Sequence, residues 1–342
     1  MLHERDAAED LNAAIGTPWR EKICSLRTRQ SEHFRTESAK YYGSFNEPID
    51  WLAMWLTVAH RSNCDALRVV DVGANRGQLL QGLDKLCAAL SPKGNPWAML
   101  AFEPGYVSYQ EYLFPAAQNA RSGLATAVRA AVGAESGFVR LTGESDTASD
   151  TGQHIHIQMS RKRAVAAAPA EDLKNRNLRV PLVRLDDELQ WWAPPDGRID
   201  VLKIDTEGFE IYVTAGALHT LQRRAVPFVF LECHQLWQST PAKWTILNAS
   251  LTFDELGYDF FRLYHKGLLL LNGPLYHPNY DSRRDFHNCL ALSRDIPEQT
   301  RREFLREASG EFVADIEALL FDSGVDLSLY GRNFCSKTED RS

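Results

Sequence analysis

Three carboxylates fall within six residues of the stretch Leu202-Lys203-Ile204-Asp205-Thr206-Glu207-Gly208-Phe209-Glu210, with Gly208 free to turn the chain between them. Further along, Glu232-Cys233-His234 adds another carboxylate and an imidazole. Groups of these types can draw a proton from a weakly acidic hydroxyl, and histidine does so with an ordinary pKa near neutral pH. The expected catalytic set is therefore Asp205 as organiser of the site, with Glu207 or His234 as the base. Asp205, Glu207 and Glu232 also offer the oxygen ligands that magnesium takes. Their spacing forms no recognised metal motif, so no metal ligand is assigned and a divalent cation stays an open alternative.

A second group of residues suits a nucleotide-like ligand. Val69-Val70-Asp71-Val72-Gly73-Ala74-Asn75-Arg76-Gly77 reads as a buried strand ending in a glycine-bearing turn that opens a helix, with Asp71 at the strand's carboxyl end. Trp97-Ala98-Met99-Leu100-Ala101-Phe102 reads as the next strand, and Glu103-Pro104 follows it where a carboxylate would accept hydrogen bonds from a ribose diol. Plain structural roles compete at each position. Glu103 could cap the next helix, Glu207 and Glu210 could favour a helix dipole, and His234 could be a bonded core histidine. Asp186 and Asp187 read as the start of a helix, Trp191-Trp192 and Trp51 with Trp55 as packing, and Arg161-Lys162-Arg163 as a solvated charge run.

These residues need a scaffold that brings strand ends together. From Arg68 onward the pattern alternates: strand 68–73, helix 76–90, strand 97–102, helix 106–121 and strand 125–132. It resumes with strand 199–204, helix 209–224 and strand 227–232, and such alternation makes a parallel sheet covered on both faces. A short added pair is expected from Phe138–Leu141 and Leu178–Val183, and a long loop over 144–177. After a helix at 244–256, closing strands are expected at 258–264, 267–271 and 288–292, then a helical stretch at 298–320. Asn46-Glu47-Pro48 precedes Ile49, Leu52, Trp55, Leu56 and Ala59 at helical spacing. The expected division is a helical extension over 1–65, a main domain over 66–295 and a helical tail over 296–342.

Composition narrows the class. In 342 residues, 44% apolar and 24% charged, there is material for one large core with a small appendage. The formal charge of -7 supplies no global attraction for phosphate backbones, so nucleic acid is a disfavoured partner. No apolar run is long enough for a membrane span, and the polar start lacks a secretory pattern. Six scattered cysteines without a Cys-x-x-Cys pair are expected to be reduced thiols, which together points to a cytoplasmic protein.

In order along the chain, Asp-Val-Gly-Ala-Asn-Arg-Gly from Asp71, Ala-Phe-Glu-Pro to Pro104, Ala-Ala-Val-Gly through Val132, Val-Arg-Leu-Asp-Asp to Asp187 and Leu-Lys-Ile-Asp-Thr-Glu-Gly-Phe-Glu from Leu202 resemble the FkbM-type methyltransferases. That family lies within the class I S-adenosylmethionine-dependent enzymes, and the resemblance covers roughly half the chain. It implies a doubly wound, Rossmann-like, seven-stranded α/β sheet, mostly parallel, with the last strand antiparallel. It implies that Asp71, Gly73, Asn75 and Gly77 surround the methionine part of S-adenosylmethionine, that Glu103 takes the ribose hydroxyls, and that Pro104, Val132 and Asp205 complete the cofactor site. Relatives carry an acidic residue near the adenine after the third strand; here Glu135, in Gly133-Ala134-Glu135, fills that role or nothing does. The implied reaction is O-methylation of a hydroxylated small molecule, sugar or glycan. A dinucleotide oxidoreductase is the first rival, although Asn75 stands where its second phosphate-contacting glycine would be. A catalytically silent binding protein on the same fold is the second.

Overall fold

The computed structural model describes residues 17–37, 51–52, 56, 66–90, 97–141, 158–159, 179–193, 197–233, 237–238, 240–264, 267–281, 287–308, 312–323, 327 and 335. The chain forms two compact units, one from Glu47–Lys243 and one from Met1–Asn46 with Trp244–Ser342. Helix α1 (Thr17–Glu37) opens the discontinuous unit. The continuous unit runs β1 (Arg68–Val72), α2 (Gln78–Leu90), β2 (Trp97–Phe102), α3 (Phe114–Gln118), β3 (Gly123–Val128), β4 (Ala131–Val132), β5 (Gly137–Arg140) and β6 (Gln158–Met159). It continues through β7 (Arg179–Val183), α4 (Leu185–Trp192), β8 (Val201–Ile204), α5 (Glu210–Gly216), α6 (Leu218–Gln222) and β9 (Phe228–Cys233). The discontinuous unit then adds α7 (Ile246–Glu255), β10 (Tyr258–Tyr264), β11 (Gly267–Leu270), β12 (His287–Ser293), α8 (Glu298–Glu307) and α9 (Val313–Glu317).

In the continuous unit, five strands pair in the order β9-β8-β1-β2-β3, all parallel. Their near-unbroken apolar runs explain this: Val69, Val70, Val72, Met99, Phe102, Leu202 and Leu231 are all buried, as strands covered on both faces must be. The register fixes where the site lies. Val72 sits across from Phe102 on one side and Ile204 on the other, and Ile204 sits across from Leu231. Gly73, Glu103, Asp205 and Glu232 therefore leave four adjacent strands at one carboxyl edge.

The strand expected over 125–132 is divided. Ala130 N–H donates to Val128 O at 3.1 Å, a tight turn that ends β3 and sends β4 into a second, four-stranded sheet ordered β4-β7-β5-β6. β5 and β7 are the short added pair that the sequence suggested, and they are antiparallel. Ala131, Val139, Leu141, Val180 and Leu182 form this sheet's core. The expected helix over 106–121 is a π-helical turn, Ser108–Leu113, running into α3, and the helix over 209–224 breaks at Ala217 into α5 and α6.

The discontinuous unit holds the antiparallel order β11-β10-β12. Thr245 and Asn248 close a reciprocal capping box on α7. The expected C-terminal helix over 298–320 is interrupted between α8 and α9. Across both units the described strands of these two sets number eight, five parallel and three antiparallel. The resemblance implies seven with one antiparallel; the three closing strands that the sequence pattern placed at 258–264, 267–271 and 288–292 are all present and make the difference.

Leu52 and Leu56 of the predicted stripe are helical and buried, as is Trp51, while Ile49, Trp55, Ala59 and all of 144–177 except β6 lie outside the described residues. No helix among the described residues is long and apolar enough to cross a membrane. The cysteines correct the sequence reading. Cys24 on α1 is disulfide-bonded to Cys335, with Cα atoms 5.5 Å apart across 311 residues of sequence, and Cys87, Cys233 and Cys289 are also bonded. Among the described residues no cysteine is free. Scattered spacing conceals such pairing, because partners meet in space rather than along the chain.

Candidate functional site

The turn after β1 is left-handed at three places: Gly73 at φ +82°, Asn75 at +48° and Gly77 at +75°. A Cβ at Gly73 would lie 1.7 Å from the carbonyl oxygen of Asp205. The steric demand for glycine thus comes from the neighbouring strand end, where the sequence suggested the approach of a ligand. Phe102 O accepts from both Gly73 N and Ala74 N, at 3.0 and 2.9 Å, so β2 holds the turn in place.

Glu103 is buried and ties two loops together. Its Oε2 accepts from Asn75 N at 2.8 Å and its Oε1 from Gly105 N at 2.7 Å, while Ser108 Oγ donates to Asn75 Oδ1 at 3.1 Å. Burial pushes its carboxyl up to about 7, against the pull of those two backbone donors. Glu103 thus braces the two loops of the edge through Asn75 and Gly105, both outside the helices that follow. Pro104 follows it, half-buried.

Lys203 is the site residue to which the sequence reading gave no role. Its ammonium lies 3.0 Å from Asp71 Oδ1, 3.2 Å from Asp205 Oδ2 and 3.1 Å from Gly73 O. Burial opposes its charge, but Asp205 and Asp71 outweigh that and hold its pKa above the ordinary value. Burial likewise pushes the Asp71 carboxyl up, against the pull of Lys203. The signal in the sequence was a lysine inside an otherwise apolar strand, where an unpaired ammonium would be too costly to keep.

Beyond Asp205 the chain turns through Glu207, left-handed at φ +54°, and Gly208 at +102°. A non-glycine residue in this conformation costs on the order of 1–3 kcal/mol, so the surroundings must enforce it. Glu210 supplies that restraint. Fully buried, it accepts from Thr206 N at 2.7 Å, Thr206 Oγ1 at 3.1 Å and Gly208 N at 3.2 Å on Oε1, and from Trp237 Nε1 at 2.5 Å on Oε2.

Asp205, Glu207 and Glu232 each bring one oxygen within 4.8 Å of the others. Burial first, then Asp205, pushes the Glu207 carboxyl up to about 7, against Lys203. Burial and the carboxylates of Asp205, Glu207 and Glu210 raise Glu232 far enough that it keeps its proton at neutral pH. Burial thus favours the protonated form of both Glu207 and Glu232 at this edge.

Val132 is buried in β4, paired with Val183, and Glu135 is exposed. Asp186 lies in the first turn of α4, where the sequence placed it, and from there its carboxylate also accepts from His219 N, Thr220 N and Thr220 Oγ1 of α6 at 2.9, 3.0 and 2.7 Å. Trp191 is 89% exposed and so does not pack as expected. His234 and Arg161-Lys162-Arg163 lie outside the described residues.

The buried parallel edge, the left-handed glycine turn and the acidic ends of β2, β8 and β9 form one arrangement. No curated protein matches the chain. The model of the methyltransferase FkbM domain matches residues 71–260, from the carboxylate that ends β1 to beyond the last parallel strand and over more than half of the sequence. The chain belongs to the FkbM methyltransferase family.

Proposed function

We propose that this protein is an S-adenosylmethionine-dependent methyltransferase that methylates a hydroxyl oxygen of a small molecule, sugar or glycan. The observation that carries the reading is the convergence, in an FkbM domain, of Asp71, Glu103 and Asp205 at three adjacent strand ends beside the Gly73–Gly77 turn. The donor set fits the cofactor. Asp71 Oδ2 is buried and has no hydrogen-bond partner among the described residues, and Glu103 is fixed where a ribose diol can share its oxygens. A cationic sulfonium also suits an edge rich in carboxylates.

The cofactor, when bound, supplies an electrophilic methyl group whose carbon–sulfur bond breaks as the new oxygen–carbon bond forms. The chain's own residues supply position and proton transfer. Glu207 takes the acceptor hydroxyl's proton, since burial and Asp205 push its carboxyl up to about 7, and Lys203 holds Asp71 and Asp205 in place through its two ion pairs. His234 is the alternative base. Proximity of three carboxylates is all that points to a divalent cation, and the proposal assigns none.

The cytoplasmic expectation leaned on reduced thiols. With every described cysteine bonded, an oxidising compartment is the better reading, because structural disulfides form and persist there. A lumenal or extracellular glycan then suits the acceptor class.

Calorimetric titration with S-adenosylmethionine and S-adenosylhomocysteine, with NADH as control, tests the cofactor. Saturable binding of both sulfur ligands alone is expected, and it should fall at least tenfold in Asp71→Ala and Glu103→Ala. Unchanged affinity in folded samples of both variants would overturn the site; binding of NADH alone would favour the oxidoreductase.

A further inference from the structure

We propose that Glu210 is a positioning residue: by gathering donors from both the Thr206–Gly208 turn and the Trp237 indole, it fixes the left-handed turn that aims Glu207 at the reacting edge. The inference rests on the methyl-transfer reading for its kinetic consequence and on geometry for the rest. Four donor groups converge on its two oxygens: Thr206 N, Thr206 Oγ1 and Gly208 N on Oε1, and Trp237 Nε1 on Oε2. Every one of these groups donates, so both oxygens must accept. A carboxylate does this and a carboxamide cannot, because one of its two ends is an NH2 donor.

Glu210 has no accessible surface and Trp237 is 1% exposed, so water cannot replace a lost acceptor without rearrangement. Burial pushes the carboxyl up to about 7, and the backbone donors and the Trp237 indole pull against that, favouring the charged acceptor form. The turn it holds would not hold itself. Glu207 stands at φ +54°, and relaxation to the right-handed region would swing its carboxyl away from Asp205 and Glu232.

Trp237 arrives from beyond β9, outside the turn and outside α5. The indole therefore pins the far side of Glu210, and the carboxylate spans two segments of the continuous unit that the chain connects only through α5, α6 and β9. An acid at this position whose only role was to favour the dipole of α5 would need neither the indole nor the Oε1 contacts.

The donor arithmetic gives a specific test. Glu210→Gln must set its NH2 against either the turn's N–H groups or the indole N–H. Trp237→Phe removes the indole donor, so the double variant lets the Gln oxygen face the turn unopposed. In full-length protein, amide hydrogen exchange at Thr206 and Gly208, the affinity for S-adenosylhomocysteine, and kcat and KM for a methyl acceptor are measured for wild type, both single variants and the double variant. Glu210→Gln is expected to speed exchange at both amides at least tenfold and to lower kcat at least tenfold, with cofactor affinity within twofold of wild type. Adding Trp237→Phe should recover most of both losses. Wild-type exchange in Glu210→Gln, or additive losses in the double variant, would overturn the proposal. If the wild type fails to bind the cofactor, the methyl-transfer reading falls, while the exchange measurements still decide the role of Glu210.

Discussion

Both units bury acids, and they treat them in opposite ways. In the discontinuous unit, Asp259 meets Arg294 Nε at 2.8 Å and also Arg301, while Asp254 takes Arg294 and, at 2.9 Å, Asn272 Nδ2. Burial opposes the Arg294 charge, but Asp259 and Asp254 hold its pKa above the ordinary value, so the network is a matched set of fixed charges. At the edge of the parallel sheet, Lys203 pairs with Asp71 and Asp205. Glu103, Glu207 and Glu232 are left with carboxyls pushed up by burial. The same residue types make a charge-matched brace in one unit and, at the sheet edge of the other, a group of acids whose protonated form burial favours.

The sharpest way to break this contrast is to remove Lys203. Lys203→Met leaves Asp71 and Asp205 facing each other without a counter-charge, and losing one partner of a buried pair costs about 3–5 kcal/mol. Denaturant unfolding at neutral pH should show that loss, and calorimetry should show S-adenosylmethionine affinity falling with it. Equal stability of variant and wild type would mean that Asp71 is already neutral and that the ion pair is not what organises the edge.

Next in size is the staple of the other unit. Replacing both Cys24 and Cys335 by serine frees a loop closed over 311 residues and should cost about 2–5 kcal/mol. Cofactor affinity should stay within twofold, separating a brace from a site. Thiol trapping followed by peptide mapping of the protein isolated from its own cells should recover Cys24 and Cys335 as one cross-linked pair. Alkylation of both would remove the basis for an oxidising compartment.

What could be read from the sequence follows from how each feature is encoded. β1, β2, β8 and β9 were legible because a strand buried on both faces writes itself as an apolar run, and Glu103, Asp205 and Glu232 were legible because they stop those runs. Lys203 was visible but unassigned: its partners Asp71 and Gly73 lie 132 and 130 residues away, on a strand whose pairing with β8 is a matter of topology. Glu210 read as a helix-dipole residue because its contact with Trp237 spans 27 residues and a separate turn. The break between β3 and β4 escaped detection because Ala125 to Val132 holds no glycine or proline to mark a turn, and Arg129 alone interrupts its mostly small and apolar run, while the two parts join different sheets. The disulfide carries no local pattern at all.

The smallest expected effect is a slope rather than a step, and it bears directly on the acids that burial raises. Glu103, Glu207 and Glu210 each stand at about 7 in the folded chain against an ordinary value of 4.5. Raised folded values mean that the native state binds these protons more tightly than the unfolded chain does. Their contribution to stability is therefore complete below about 4.5 and is lost as pH rises through about 7. Glu207→Gln removes one titrating group from the least buried of the three positions. Unfolding free energies measured from about pH 5 to pH 8 should decline less steeply for Glu207→Gln than for wild type, and the kcat profile should lose its rise through about pH 7. Parallel stability curves would show that Glu207 is an ordinary exposed carboxylate, and the base would then have to be sought at His234.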